Sequence, residues 1–300
     1  MSGGGRLGAV DGLIVVDKPG GMTSHDVVAR VRRLAQTRRV GHGGTLDPMA
    51  TGVLVVAVGR ATRLLTYVIG SRKEYTGTIR LGQRTVTDDA EGEVVGSAPA
   101  GDLTDAAIRS ALTAQTGEID QVPSAVSAIK VNGRRAYHRV RAGETVELAP
   151  RRVTVFRLDP LAVRRAGDIV DVEVDVACSA GTYVRAIARD VGAALGVGGH
   201  LTALRRTLAG GFTLADAVTL SDLAARAPDV VRLPLAEAAR LVFPQRTAAP
   251  EEARLLSHGG PLPPAGIDGP YAVFDPAGTL LAIVSERDSR ARAEVVFAPA

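Results

Sequence analysis

The segment GHGGTLDP, beginning at Gly41, sets an imidazole (His42) and a carboxylate (Asp47) in one glycine-rich stretch just ahead of the apolar run Val53 to Val58. Glycines let a backbone approach a substrate closely, and loops fed by buried strands often carry functional groups. Asp47-Pro48 has two readings, a turn whose side chain accepts nearby amides or a carboxylate presented to a substrate. His42 could serve as a general base or a metal ligand, yet no histidine or carboxylate falls at metal spacing around it, and an ordinary loop histidine fits as well. Lys18-Pro19-Gly20-Gly21 lacks the G-x-x-x-x-G-K-[ST] pattern of a phosphate loop, which argues against nucleotide hydrolysis. Locally it reads as a turn with a solvated lysine. Tyr75 and Tyr183 read by type as partly buried packing residues. Arg185 falls in the first turn of an expected helix, where the dipole favours anions, so its charge points to a neighbouring carboxylate or phosphate.

The elements that must hold these residues follow from patterning. Leu13 to Asp17 is a short apolar run stopped by Lys18-Pro19-Gly20-Gly21, hence a strand and a turn. Thr23 with Asp26 makes a capping box, and Val27, Val28, Val31, Leu34 and Ala35 repeat at helical spacing. Gly41 to Pro48 is too rich in glycine for a regular element, while Val53 to Val58 suits a buried central strand. Ala61 to Ile69 reads as a short helix, Glu74 to Leu81 as a strand carrying Tyr75, and Thr104 as the cap of a further helix. Val153 to Val163 and Ile169 to Ala177 alternate and should pair, and Gly181-Thr182 opens a helix through Val184, Ile187, Val191 and Leu195. Prolines at 234, 244 and 250 mark a transition, followed by a helix near Glu251 to Ser257 and three short strands. The patterning mixes strands and helices along the chain and sets a small β-rich C-terminal domain after the prolines.

Composition narrows the class. The chain has 300 residues, 46% hydrophobic and 23% charged, enough to bury a core. No apolar stretch is long enough to span a bilayer and no secretory signal opens the chain, so it reads as cytoplasmic. Cys178 is the single cysteine, which excludes an internal disulfide and a thiolate zinc cluster. Of 36 basic residues only Lys18, Lys73 and Lys130 are lysines. In that background a lysine marks a place where a compact ammonium serves better than a planar fork. Net charge is +4, compatible with a polyanion, and the basic residues concentrate between Pro123 and Arg152, where Lys130, Arg134, Arg135, Arg139 and Arg141 gather in an excursion from the main pattern.

Five segments occur together in order: GLIVVDKPGGMTS from Gly12, VGHGGTLDPMATGVL from Val40, RKEYTGTIRLG from Arg72, PSAVSAIK from Pro123 and GTYVR from Gly181. Together they resemble the bacterial TruB-type tRNA pseudouridine-55 synthases, over about residues 12–210. The resemblance implies an α+β, pseudouridine-synthase-like fold: a flexible start over 1–11, a catalytic unit over 12–244 with a mixed, largely antiparallel central sheet and flanking helices, and a small PUA-like RNA-binding domain over 245–300. It also implies isomerisation of a T-loop uridine of tRNA without cofactor or metal, and no obligate protein partner. Asp47 matches the family's catalytic aspartate, Arg185 the arginine that pairs with it, and Tyr75 the tyrosine that stacks on the target base. Tyr183 belongs to the same pocket motif, Lys18 and Pro19 to the segment that buttresses the site, and His42 matches a histidine contacting the loop vacated by the flipped base. The basic excursion matches the insertion that grips the tRNA elbow, with Lys130, Arg134, Arg135 and Arg141 as candidate RNA contacts. Gly43 departs from the threonine that many members carry.

The residue types suit that reaction. A carboxylate can attack or stabilise carbon while uracil is detached from C1′ and rejoined through C5. Addition of the aspartate to C6, addition to C1′ and a glycal-like route all remain open at this point. A forked guanidinium favours the charged carboxylate and fixes its direction, and a tyrosine face stacks on a base that has left its helix. Three other readings fit less of the pattern: a guide-RNA-dependent synthase subunit, a non-catalytic tRNA-folding or binding protein, and a retaining hydrolase, which would need a second carboxylate in these motifs.

Overall fold

The computed structural model describes residues 10–124, 130–131, 134–135 and 148–298. Its centre is a ten-stranded sheet built mainly from β1 (Gly12–Lys18), β2 (Val40–His42), β3 (Thr51–Val58), β4 (Lys73–Leu81), β7 (Gly117–Gln121), β10 (Arg151–Ala166), β11 (Ile169–Cys178) and β12 (Gly199–Ala209); β5 with β6 (Gln83–Thr85, Val94–Ser97) and β8 with β9 (Lys130–Val131, Arg134–Arg135) are separate two-stranded pairs. The path through the sheet runs β1, β3, β12, β4, β11, β10, β7, with Leu233–Pro234 on the outer edge of β1. Every pairing in it is antiparallel except β3 with β12. The α+β class and the largely antiparallel sheet are as the sequence implies.

Burial explains the strand patterns. One face packs on the helices α1 (Ser24–Leu34), α3 (Asp105–Ala114) and α4 (Val184–Ala194), through Val27, Val31, Ile108, Leu112, Ile187 and Val191. The other face of β1 and β3 is covered by α2 (Leu65–Gly70), the helix Leu235–Val242 and part of the C-terminal sheet. With both faces covered, β3 reads from Val53 onward as unbroken valine, leucine and alanine. By contrast β4 is covered on one face only, so buried Lys73, Tyr75, Ile79 and Leu81 alternate with more accessible Glu74, Thr76, Thr78 and Arg80. The outward row carries cross-strand ion pairs, such as Arg80 with Asp171, two N–H···O contacts of 2.8 Å.

The detail that positions the site is a fork along one edge of β3. Its first residues pair with β12, Thr51 with Arg205 and Gly52 with Arg206. Its later residues pair with β2, Val56 with His42 and Val58 with Val40. The chain from Gly43 to Ala50 is thrown across the opening, and Asp47 lies in that crossing. Two glycines are set by close approach. A Cβ on Gly52, whose φ is +96°, would lie 2.2 Å from the Arg206 carbonyl oxygen, and one on Gly43 would lie 2.7 Å from Val68 Cγ1. Val68 therefore occupies the room that a threonine would need at position 43.

The C-terminal unit is a four-stranded sheet, Gln245–Thr247, Tyr271–Phe274, Leu280–Arg287 and Arg290–Val296, with the helix Pro250–Ser257 against it. The helix near Glu251 to Ser257 and the strands starting at Tyr271 and Leu280 fall where the sequence places them, while the last strand, expected over Glu294 to Phe297, begins at Arg290.

Candidate active site

Three clamps hold the crossing segment from below. Ser24, buried at the start of α1, accepts a hydrogen bond from the Leu46 N–H (2.8 Å) and donates to its carbonyl (3.1 Å). Lys18 Nζ donates to the carbonyls of Met22 (2.6 Å), Pro19 (2.9 Å) and Pro48 (3.2 Å). Arg206 donates to Val53 (2.7 Å), Gly44 (3.1 Å) and, at the long limit, Thr45 (3.4 Å). Asp47 is thus bracketed on both sides by backbone whose carbonyls are tied to buried cations. The local reading of Lys18 as a solvated turn lysine is overturned, since the side chain is fully buried. Its partner Pro48 is thirty residues away, a contact that no local window could register. Desolvation lowers its pKa to about 8, partly opposed by Glu91 and Asp47.

Asp47 faces Arg185 from the first turn of α4. Arg185 Nε lies 3.0 Å from Asp47 Oδ2, and Nη1 lies 3.2 Å from Asp89 Oδ2 and donates to the Thr87 carbonyl at 2.8 Å. The cation that looked misplaced at a helix start thus has two carboxylates. Asp89 is buried and also accepts from the Thr87 hydroxyl and the Glu91 N–H. The Asp47 side chain keeps 36% of its surface open, while those of Arg185 and Asp89 keep 5% and 4%, so the exposed end of this chain of charges is Asp47.

A cavity of about 340 Å³ opens over Asp47, within the usual range for small-molecule sites. Tyr75, Tyr183, Arg185, Lys73 and Arg206 share its lining. Burial pushes the Tyr75 phenol above its ordinary pKa, and the neighbouring Arg206 pulls it back in part. Tyr183 caps α4, and its backbone is held by Gln121, which accepts from the Tyr183 N–H (2.8 Å) and donates to its carbonyl (3.1 Å). His42 stands at the end of β2 beside the crossing and outside the cavity lining, its ring edge-on to His25 at 5.4 Å. Desolvation, then the His25 charge, lowers its pKa.

Asp47, Tyr75, Tyr183 and Arg185 therefore meet at one cavity, with Lys18 beneath it and His42 at its side. Lys130, Arg134 and Arg135 belong to a short antiparallel pair, Lys130 opposite Arg135, of which only the backbone is described. Arg141 lies outside the described residues. Three residues of the site were not singled out from sequence as site residues: Asp89, Lys73 and Arg206. The scarcity of lysine was a usable signal for Lys73, which is buried and donates to the carbonyls of Val68, Ile69 and Ser71. Asp89 and Arg206 carried none, because each stands among similar charges, Asp88 and Arg205.

Comparison with known proteins gives the family of the chain. The chain matches the N-terminal domain of TruB family pseudouridylate synthases over residues 32–184, a tRNA pseudouridylate synthase B C-terminal domain over 185–231, and the C-terminal domain of tRNA pseudouridine synthase II over 243–298. It is 56% identical to a tRNA pseudouridine synthase B of Arthrobacter sp. (strain FB24), covering 97% of each chain. A protein of the same name from Thermobifida fusca (strain YX) is also 56% identical, over 96% of this chain and 99% of its relative. Among solved structures, a Cbf5-Nop10-Gar1 complex matches with a TM-score of 0.73 at 26% identity, over 98% of this chain and 87% of the other. An H/ACA RNP bound to a substrate RNA containing 2′-deoxyuridine matches with a TM-score of 0.70, also at 26% identity, over 96% and 85%.

Proposed function

Since the chain belongs to the TruB family of pseudouridylate synthases, we propose that it isomerises uridine 55 in the T-loop of tRNA to pseudouridine, with Asp47 as the catalytic carboxylate. The observation that carries this reading is the Asp47–Arg185 ion pair at the floor of a base-sized cavity whose wall includes Tyr75. The target nucleotide leaves its stack and enters the cavity, because its C1′ and C5 atoms are inaccessible inside a folded loop. Tyr75 offers a flat face, where stacking contributes roughly 1–3 kcal/mol per base, and its hydroxyl takes part in moving the C5 proton. Arg185, fixed between Asp47, Asp89 and the Thr87 carbonyl, aims the carboxylate at the reacting carbon. Tyr183 borders the same cavity, Lys18 keeps the Pro48 side of the crossing rigid, and His42 meets RNA beside the opening. Residues 12–244 form the catalytic unit and 245–300 an accessory PUA-like RNA-binding domain. The basic stretch over 123–152, with Lys130, Arg134, Arg135 and Arg141, contacts the tRNA backbone.

The test is tritium release from C5-labelled uridine in an unmodified T-stem-loop RNA. Asp47→Ala is expected to bind that RNA and release no tritium, and turnover near wild type would remove Asp47 from the catalytic role. Activity of the purified chain without a guide RNA or protein partner separates this reading from a guide-dependent subunit. Carbodiimide labelling of the product maps the modified position.

A further inference from the structure

Two cations in the cavity lining have no acidic partner among the described residues. Lys73 and Arg206 are buried, keeping 6% and 1% of their surface, and their N–H groups go to main-chain carbonyls. Neither lies within ion-pair distance of a carboxylate among the described residues, whereas Arg185 meets both Asp47 and Asp89. They flank one point of the crossing segment: a Cβ on Gly44 would lie 3.7 Å from Arg206 Nη1 and 3.9 Å from Lys73 Cε. Packing alone does not call for this arrangement. The carbonyls they serve need donors, but neutral amides and hydroxyls would supply hydrogen bonds without the cost of burying like charges side by side. What such a wall favours is negative charge arriving in the cavity.

The proposed isomerisation supplies that charge. When the N1–C1′ bond breaks, its electron pair leaves with the base, and the detached ring carries negative charge over N1 and its two carbonyl oxygens. The charge is discharged when C5 bonds to C1′, the C5 proton departs and N1 gains a proton, so the product is an isomer with no atom gained or lost. Resting on that reading, we propose that Lys73 and Arg206 form a positive wall that stabilises the detached base as an anion while it turns from N1 to C5. Lys73 does this through its field, as its ammonium hydrogens are already committed to Val68, Ile69 and Ser71.

A proton-dependent signature follows. The charged and titratable groups facing Lys73 are Arg206 and Cys178, and desolvation, aided by Arg206, brings Lys73 down to about 8. Burial pushes the Cys178 thiol up to about 11, so Lys73 discharges first. The wall therefore weakens as pH rises through about 8. Lys18 titrates in the same region, so the variants must decide which lysine is responsible.

The experiment measures single-turnover cleavage of the target N1–C1′ bond, read as loss of the starting nucleoside because a C5–F bond blocks the final proton loss, in T-stem-loop RNA carrying uridine or 5-fluorouridine, with wild type, Lys73→Met and Lys73→Gln. Fluorine withdraws electron density and makes the base a better leaving group, so the wall matters less. Both variants are expected to convert the uridine RNA about 10- to 100-fold more slowly at pH 7. RNA affinity should be unchanged, the defect much smaller on 5-fluorouridine RNA, and the alkaline limb of the wild-type rate absent. Equal defects on the two RNAs, a wild-type rate in Lys73→Gln, or an alkaline limb that survives in Lys73→Met would overturn the proposal. Failure of wild type to convert uridine at all would instead overturn the isomerase reading.

Discussion

Replacing Arg185 with methionine separates what the guanidinium does for the fold from what it does for the reaction. Removing it leaves two carboxylates in unequal surroundings. Asp47 keeps a third of its side-chain surface open, so water takes over and the loss is within about 1 kcal/mol, as for surface pairs. Asp89 is buried, and stripping the partner from a buried charge costs about 3–5 kcal/mol. For a chain of this size roughly 2–4 °C of melting temperature goes with each kcal/mol, so Arg185→Met should unfold on the order of 10 °C lower. Adding Asp89→Asn removes the orphaned charge and leaves an oxygen that still accepts from the Thr87 hydroxyl and the Glu91 N–H, so most of the lost stability should return. Activity should not return. Asp47 has still lost its aiming group, and misplacement of about 1 Å can cost roughly 100-fold in rate. Thermal unfolding and tritium release measured on the two single variants and the double variant decide the matter. A double variant as unstable as Arg185→Met, or one that regains turnover together with stability, would refute the division of roles.

Gly52→Ala should destabilise the chain by about 2–4 kcal/mol, because the new Cβ would meet the Arg206 carbonyl in a backbone conformation that side chains rarely adopt; urea denaturation measures it. Lys18→Met deprives the carbonyls of Pro19, Met22 and Pro48 of a donor, at about 1–3 kcal/mol for each left unsatisfied, offset by relief of the desolvated ammonium; the net is expected to be a loss of about 2–4 kcal/mol at pH 7. Between pH 8 and 10.5 the unfolded chain holds the Lys18 proton more tightly than the folded one, so wild-type stability gains from this group as pH rises, and denaturation at pH 7 and pH 9.5 should show a smaller gain in Lys18→Met. Desolvated His42 acquires its charge only below the usual imidazole range, so RNA affinity should step upward on acidification, and a step that persisted in His42→Ala would remove His42 as its source.

Much of the site was legible because it is written in short contiguous segments. The capping box at Thr23, the turn before α1 and the first-turn position of Arg185 each follow from neighbouring residues, and all are present. What could not be read is what depends on distant partners. The strand Gly199–Ala209, with the sequence GHLTALRRTLA, offers leucine, alanine and arginine, all good helix formers; it is a strand because β3 and β4 flank it. Lys18 looks like a surface lysine in a proline-glycine turn until Pro48 and Met22 close over it. Asp89 is invisible for a related reason, since only the fold, by burying it against Arg185, distinguishes it from Asp88 beside it.

The fork in β3 connects these observations. Where β2 and β12 part from the edge of β3, the crossing backbone loses the ladder partners it would have in a continuous sheet, and buried carbonyl groups need donors. Val53, Gly44 and Thr45 find theirs in Arg206, and Pro48 finds its own in Lys18 and in the Gly21 N–H. A hydroxyl would satisfy one such carbonyl; a cation with several N–H groups satisfies three. The same backbone accounting that frees Asp47 from regular structure thus draws positive charge beneath it. A carboxylate placed there is exposed on one side and surrounded on the other by fixed donors that need no rearrangement as charge moves, the condition under which electrostatic stabilisation of a reacting base is strongest. Closing the fork with a continuous strand would satisfy the carbonyls equally well, and would remove both the exposed aspartate and the reason for the cations.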